Sequence, residues 1–263
     1  MAKTTPTSIP SPRYQGYGYE SAPQAPLSGR ALVIIPTYNE VDNVERIARE
    51  VSEAIACDIL FVDDNSPDGT GRTLDTLAAA SERVHVLHRQ QRLGFAAAFV
   101  DSMRWALDRR YDLIIQMDSD FSHDPKHLQE LAARAGEFEL VIGSKYVSGG
   151  RVEGLAPWRK WLSRYGNLYA RSVLWLKDRR FSIRDATSGY CCWQASLLRR
   201  VVSEPIRAEG YAFQIEMKWR AIRGGAAAVE VPICFVDRVA GRSKMSPSII
   251  LEALTLPLRL VRR

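Results

Sequence analysis

Cysteine is scarce in this sequence, and its spacing excludes the common cysteine-based sites. Four cysteines occur in 263 residues, at positions 57, 191, 192 and 234, and no two of them form a C-x-x-C pair. This spacing indicates neither a zinc site nor a disulfide framework. The composition therefore fits a reducing compartment such as the cytosol.

Long hydrophobic runs are also lacking. The N-terminal stretch MAKTTPTSIPSP has no apolar core of the kind that a signal peptide carries. Nowhere do about 20 uninterrupted apolar residues occur, which is the length that a membrane-spanning helix needs. We therefore expect the chain to stay on one side of any membrane.

The sequence does contain apolar runs that alternate with helical stretches. Residues 1–29 carry five prolines and four serines without an apolar period, which predicts a disordered tail. From residue 30 onward, strand-like runs such as ALVIIPTY and DILFVDD alternate with helical patterns such as NVERIAREVSEAIA. This alternation predicts a single α/β domain over residues 30–245, with a Rossmann-like, mostly parallel central sheet flanked by helices, followed by an amphipathic segment at 246–263.

Both of the usual glycine-rich phosphate loops are missing. No G-x-G-x-x-G follows the first strand, and no G-x-x-x-x-G-K-[ST] occurs. Ligands of parallel sheets bind outside the carboxyl ends of the strands. A nucleotide phosphate at that edge would need another partner, such as a divalent cation on paired carboxylates.

Polar residues collect where the predicted strands end. Asp63 ends the second strand and could accept hydrogen bonds from a base or ribose, whereas Asp68 to Thr70 are explained as a turn and helix cap. The other strand-end residues are Pro36, Tyr38, Asn39 and Glu40 after the first strand and Gly143, Ser144 and Lys145 after the fifth. This distribution predicts a ligand site along one edge of the sheet.

The fourth predicted strand runs directly into two acids in YDLIIQMDSDFSHDP, residues 111–125. In extended backbone residues i and i+2 point the same way, so Asp118 and Asp120 can converge on one hard cation, Mg²⁺ or Mn²⁺. The alternative is a turn with solvated acids. In the same loop, Asp124 before Pro125 is explained by helix capping, and we expect a structural role for His123.

Eight motifs carry a family resemblance. IIPTYNE, VDDNSPDGT, LGFAAAF, MDSDFSHDP, GSKYVSGG, DATSGYCCW, GYAFQIEM and VPICFVDRVAGRSK stand in this order over residues 31–245. Together they resemble the inverting GT-A glycosyltransferases of family 2, and specifically the polyprenol-phosphate (dolichol-phosphate) mannose synthases. The resemblance implies a GT-A fold, GDP-mannose as donor and a polyprenyl monophosphate as acceptor.

The resemblance also assigns roles to individual residues. Asp118 and Asp120 would be catalytic and hold the metal and the diphosphate. Ser122, where some relatives have glutamine, is a weaker third ligand because its side chain is shorter, and a water could substitute. The residues implied for the nucleotide sugar are Pro36, Tyr38, Glu40, Phe61, Asp63, Ser119 and Lys145.

Basic residues implied for the acceptor phosphate and the diphosphate are Arg159, Arg238 and Lys244, with Lys160 as an alternative to Arg159. Lys145 stands where many relatives have arginine. Its ammonium group can hold a phosphate as a point charge but without the two-pronged hydrogen bonding of a guanidinium group.

The implied reaction is a metal-dependent transfer that converts an α-linked donor into β-linked polyprenyl-phosphate mannose and GDP. A second enzyme hypothesis keeps the fold and metal but transfers glucose from UDP-glucose, and nucleotide preference separates the two. A non-enzymatic alternative is a basic module that binds membranes or nucleic acid, in line with the net charge of +6. Carboxylates at strand ends argue against that module, so we expect no nucleic-acid partner.

Residues 151–180 carry eight basic residues against two acidic ones, interleaved with aromatic residues. Trp158, Trp161, Tyr165, Leu168 and Trp175 follow helical spacing, which indicates either a core stripe or a helix lying in the headgroup region of a membrane. The apolar C-terminal segment is too short to span. We expect peripheral contact with the cytoplasmic face of a membrane, or docking onto an integral-membrane protein.

Overall fold

The computed structural model of the chain describes residues 29–91, 94–208, 210, 212–237 and 247–262. The predicted disordered tail lies, except for Gly29, outside these described residues.

Strands and helices alternate along the described chain, as predicted for an α/β protein. The strands are β1 (Ala31–Thr37), β2 (Asp58–Asp63), β3 (Val84–His88), β4 (Leu113–Gln116), β5 (Leu140–Ser144), β6 (Arg151–Glu153), β7 (Cys191–Gln194), β8 (Ala228–Pro232) and β9 (Cys234–Val236). The helices are α1 (Val44–Ala54), α2 (Thr70–Ala80), α3 (Phe95–Asp108), α4 (Leu128–Arg134), α5 (Pro157–Lys177), α6 (Ala195–Val201), α7 (Phe213–Arg223) and α8 (Pro247–Val261), with a 3₁₀ helix at Pro125–His127.

The main sheet has the strand order β3-β2-β1-β4-β7-β5-β8 among the described residues. All neighbours are parallel except β7, which runs antiparallel to β4 and to β5. The carboxyl ends of β1, β2, β4 and β5 therefore meet at one edge. A small second sheet pairs β6 with β9 in parallel.

Strand β1 runs to Thr37, two residues beyond Ile35, where the strand was expected to end. Pro36 was expected after this strand, but it lies within it, opposite Val62 of β2. Proline has no backbone N–H to donate to a neighbouring strand. It is tolerated at position 36 because the pairing of β1 with β4 ends at Ile34, so no hydrogen bond to β4 is lost. Gly143 and Ser144 likewise belong to β5 itself.

The hydrophobic core covers both faces of the main sheet. Leu32 and Ile34 of β1 belong to the cluster on the face of α3, α6 and α7. Val33 and Ile35 point the other way and join the cluster on the face of α1 and α4. All four side chains are fully buried, so the apolar run of β1 reflects a strand covered on both sides. Because both clusters share one sheet, these elements form a single α/β domain.

None of the helices in the described part of the chain has both the length and the apolarity that crossing a bilayer requires.

Candidate active site

The acidic loop after β4 forms a tight turn at the carboxyl edge of the sheet. The side chain of Asp118 is 23% exposed and Asp120 as a residue is 9% exposed. An oxygen of Asp120, Oδ1, accepts a hydrogen bond of 3.0 Å from the backbone N–H of Ser122. Between them Phe121 has φ of 59°, in the left-handed region, which costs an aromatic residue about 1–3 kcal/mol. The backbone is therefore strained at the residue directly after Asp120.

The buried ring of His123 packs against this turn and stabilises it. Its ring is 3% exposed, stacks on Tyr190 at 4.8 Å between ring centroids and meets Phe235 edge-on. Burial lowers the pKa of His123 to about 4, so the ring is neutral at neutral pH. Its Nδ1 accepts a hydrogen bond of 3.1 Å from the backbone N–H of Asp118. These contacts fit the structural role that the sequence indicated.

Asp124 caps the 3₁₀ helix that follows. Its Oδ1 accepts a hydrogen bond of 3.0 Å from the backbone N–H of Lys126, and Pro125 occupies the first helical position. The prediction that Asp124 is a helix cap is confirmed.

The chemistry of the acidic loop fits a hard divalent cation. Among the described residues no group of three His, Cys, Asp or Glu side chains is placed to hold a metal ion. Two carboxylates such as Asp118 and Asp120 would leave coordination positions for phosphate oxygens and water, which is how Mg²⁺ is commonly bound. Ser122 and Ser119 are buried beside them, at 2% and 5% exposure, and the Ser122 carbonyl accepts from the N–H of Val236.

The loops after β1 and β2 are tied together by hydrogen bonds. The backbone N–H of Asn39 donates to Ser66 Oγ at 3.1 Å, and that of Glu40 donates to Thr70 Oγ1 at 3.0 Å. Asn39 also adopts a φ of 58°, which asparagine tolerates better than most residues. The half-buried residues Pro36, Tyr38 and Glu40 therefore lie beside the end of β2.

Asp63 ends β2 directly opposite Thr37 and is 4% exposed. Its Oδ1 accepts a hydrogen bond of 2.5 Å from the hydroxyl of Ser66, which shapes the following turn. Asp68 in that turn accepts from the backbone N–H and the hydroxyl of Thr70, as expected for a turn residue. Phe61 is fully buried in the core, so its side chain offers no surface to a ligand.

Lys145, directly after β5, is held by a buried carboxylate. Its Nζ donates to both oxygens of Asp185, at 3.1 and 2.9 Å, and its backbone N–H donates to the same carboxylate at 3.2 Å. The side chains are 10% and 0% exposed. Lys145 Nζ also lies 5.3 Å from the ring centroid of Phe235, the ring that meets His123. The ion pair therefore borders the acidic loop.

Arg159 lies on the first turn of α5 and pairs with a residue after β9. Its guanidinium donates to both oxygens of Asp237, at 3.1 and 3.0 Å. Lys160, the alternative, is exposed. Arg238, next to Asp237, and Lys244 lie outside the described residues.

Three residues near the acidic loop had no role assigned from the sequence. Asp185 and Gly189 belong to the DATSGYCCW motif, and Gln214 belongs to GYAFQIEM. Their positions beside Lys145 and Asp118 come from contacts across long sequence separations. In the sequence, the one indication of a role for these three residues in the site was that they stand in motifs that carried the family resemblance.

Comparison with known proteins gives one matching family model and close relatives. The model of glycosyl transferase family 2 matches residues 32–205. The chain is 44% identical over 252 residues to polyprenol monophosphomannose synthase of Mycolicibacterium smegmatis, covering 94% of this chain and 92% of the relative. It is 42% identical over 226 residues to undecaprenyl-phosphate mannosyltransferase of Micrococcus luteus, covering 86% and 91%.

Solved structures with the same fold are more distant in sequence. Glucosyl-3-phosphoglycerate synthase from Mycobacterium tuberculosis, solved with Mn²⁺, UDP and phosphoglyceric acid, superposes with a TM-score of 0.63 at 18% identity over 89% of this chain and 78% of that one. A mannosyltransferase from Pyrobaculum calidifontis, solved with GDP-Man and Mn²⁺, gives 0.53 at 16% identity over 93% and 76%. These likenesses establish the GT-A fold.

Proposed function

The chain belongs to glycosyl transferase family 2, and from that premise we propose that it transfers mannose from GDP-mannose to a polyprenyl monophosphate. The relatives at 44% and 42% identity are named polyprenol monophosphomannose synthase and undecaprenyl-phosphate mannosyltransferase, which supports mannose as the sugar and a polyprenyl phosphate as the acceptor. The single observation that carries the proposal is the Asp118–Asp120 loop, which stands at the edge where the loops after β1 and β2 also meet. A divalent cation, Mg²⁺ or Mn²⁺, would complete the site.

The arrangement supports a displacement at the anomeric carbon of mannose. The acceptor phosphate forms the new C–O bond as the bond to the donor's diphosphate breaks and its electron pair departs with GDP. A phosphate monoester is already anionic at neutral pH, so no side chain has to remove a proton. The bound cation would neutralise charge on the departing diphosphate.

The protein's own contribution is positioning. Asp118 and Asp120 would hold the cation, and the loops after β1 and β2 would hold the nucleotide through residues including Tyr38, Glu40 and Asp63. Lys145 and Arg159 would draw the two anionic substrates together. Displacement from the face opposite the leaving group inverts the anomeric configuration.

The first test is transfer of labelled mannose from GDP-mannose to a short polyprenyl phosphate in detergent, with UDP-glucose in parallel. We expect mannose transfer with Mg²⁺ or Mn²⁺ and its loss in EDTA, since the two carboxylates alone leave the diphosphate charge uncompensated. Adding back each metal separately ranks Mg²⁺ against Mn²⁺. Glucose transfer without mannose transfer would overturn the proposal that GDP-mannose is the donor. Transfer that persists in EDTA would overturn the proposal that the reaction depends on a metal.

We further propose that the enzyme reaches its lipid through an apolar surface on α5 and α8. The exposed residues of this α5–α8 surface are Trp158, Trp161, Tyr165, Leu168, Trp175 and Leu176 on α5 and Leu251, Leu254 and Leu258 on α8. The two helices pack together, and the hydroxyl of Tyr169 donates to the carbonyl of Leu254 at 2.8 Å. The stripe on α5 is therefore on the outside of the molecule and not in the core.

Charge and residue type favour a bilayer interface as the occupant of the α5–α8 surface. Tryptophan and tyrosine partition into the headgroup region. The exposed basic residues on and after α5, such as Lys160, Arg164 and Lys177, match anionic lipid headgroups. Arg159 on the same helix binds Asp237, which lies beside the candidate active site. Helix α5 would therefore place the active site close to the membrane surface.

Replacing Trp158 and Trp161 together by serine should weaken binding to anionic lipid vesicles by about 10-fold or more, because two large apolar side chains leave the interface. Co-sedimentation measures the binding, and added salt should weaken it further. Activity toward a water-soluble, short-chain acceptor should stay at the wild-type level. Unchanged vesicle binding, with activity lost only in native membranes, would instead indicate an integral-membrane protein partner.

A further inference from the structure

Gln214 lies at the second position of α7 and points a polar group into the site. Its residue exposure is 1%, yet its side-chain Nε2 has no hydrogen-bond partner among the described residues. A buried amide donor left unpaired carries the full cost of its desolvation, so such groups are rare in folded proteins. An unpaired N–H group in an active site indicates a partner that arrives with the substrate.

Lys218, one helical turn later, fixes which end of the Gln214 amide faces the site. Its fully buried Nζ donates to the carbonyl of Ser188 at 2.7 Å and lies 3.5 Å from both the carbonyl and Oε1 of Gln214. An ammonium group only donates, so the amide oxygen must face Lys218 and the amide nitrogen must point away. Among the described residues, the hydrogen-bond partners of Lys218 are the carbonyl oxygens of Ser188 and Gln214, the amide oxygen of Gln214 and the thiol of Cys191, none of which is a carboxylate, so the positive charge of Lys218 adds to the local potential.

Gly189 leaves a small space in front of that amide nitrogen. A side-chain carbon at Gly189 would lie 3.6 Å from Gln214 Nε2, 3.6 Å from His123 Cε1 and 3.9 Å from Asp118 Oδ1. The amide donor of Gln214 and the carboxylate of Asp118 therefore face the same side of Gly189, and position 189 has no side chain beside them. Any side chain there would take up room next to both groups.

We infer that Gln214 binds a phosphate oxygen of the substrate in the space that Gly189 leaves open. The inference rests on the proposed function, because it is the transfer reaction that brings phosphate to Asp118. The N–H donor and the buried Lys218 charge favour an anionic oxygen. That oxygen belongs either to the donor's diphosphate or to the acceptor's monophosphate, and the two sources are separable by experiment.

Gln214→Met keeps the length and volume of the side chain and removes the donor. We expect kcat/KM to fall roughly 10- to 100-fold, as for loss of one hydrogen bond to a charged group. If the oxygen is the donor's, GDP binding measured by calorimetry weakens and KM for GDP-mannose rises. If it is the acceptor's, GDP binding is unchanged and KM for the polyprenyl phosphate rises.

Gly189→Ala gives a second, independent test. Its three contacts of 3.6–3.9 Å are ordinary van der Waals distances, so the fold should tolerate the methyl group while the space is filled. We expect it to raise the same KM as Gln214→Met. Gln214→Glu, which keeps an oxygen facing Lys218, replaces Gln214→Met if that variant does not fold.

Gln194→Met is the matched control. Gln194 ends β7 opposite Leu113, at the other edge of the sheet, and its Nε2 already donates to the Ala135 carbonyl at 2.7 Å. Its kinetics should match wild type. Folded Gln214 and Gly189 variants with wild-type kinetics and GDP binding, or with altered metal affinity alone, would overturn the inference. Absence of transfer by the unmodified chain would count against the proposed function instead.

Discussion

Asp120→Asn should reduce mannosyl transfer by about 1,000-fold or more while leaving the fold intact. The amide keeps an oxygen that can accept the hydrogen bond from the backbone N–H of Ser122, so the strained turn at Phe121 retains its support. What disappears is one of the two negative charges assigned to the cation. Asp120→Ala should abolish transfer as well. Initial rates at saturating Mg²⁺ or Mn²⁺ measure the loss.

Asp124→Asn, in the same loop, serves as the control for this prediction. The new side chain would still cap the 3₁₀ helix, since asparagine caps as well as aspartate does. We expect the Asp124→Asn protein to transfer mannose at a near wild-type rate. The thermal midpoints of Asp124→Asn and Asp120→Asn should be similar. Activity of Asp120→Asn within twofold of wild type, in a folded protein, would remove Asp120 from the metal site.

Much of the fold was predictable because local and global signals agree. Runs such as ALVIIPT are apolar on both faces, and only a sheet covered by helices on both sides buries them, as Leu32 and Val33 show on opposite faces. The antiparallel strand β7 was not predictable. Its four residues carry no directional signal, and its place between β4 and β5 depends on distant contacts such as the bond from Trp193 Nε1 to Gln116.

In the candidate site, too, residues marked by a local sequence pattern could be predicted, whereas residues placed by distant contacts could not. Asp118 and Asp120 could be proposed as metal ligands from the sequence because they follow a buried strand with a spacing of two residues. The ion pair between Lys145 and Asp185 was not, because 40 residues separate its members. Phe61 differs in another way: the family resemblance implied a place beside the nucleotide, whereas packing between helix and sheet buries its ring completely.

Lys145→Met should destabilise the protein by about 3–5 kcal/mol, because it leaves the carboxylate of Asp185 buried without its counter-charge. Asp185 is 0% exposed, so water cannot replace the ammonium group. Denaturant unfolding measures this loss. Transfer activity should fall too, but the single variant does not reveal whether Lys145 acts on a phosphate or only on Asp185.

Adding Asp185→Asn to Lys145→Met separates these two roles. The amide removes the orphaned charge and can still accept from the backbone N–H of residue 145 or the hydroxyl of Thr187, so most of the lost stability should return. If Lys145 also holds a substrate phosphate, the double variant stays at least about 10-fold slower than wild type with a raised KM, because the fold is repaired but the cation is not. Recovery of both stability and activity would mean that Lys145 serves the buried carboxylate alone. The phosphate would then depend on the other basic residues at this edge of the sheet.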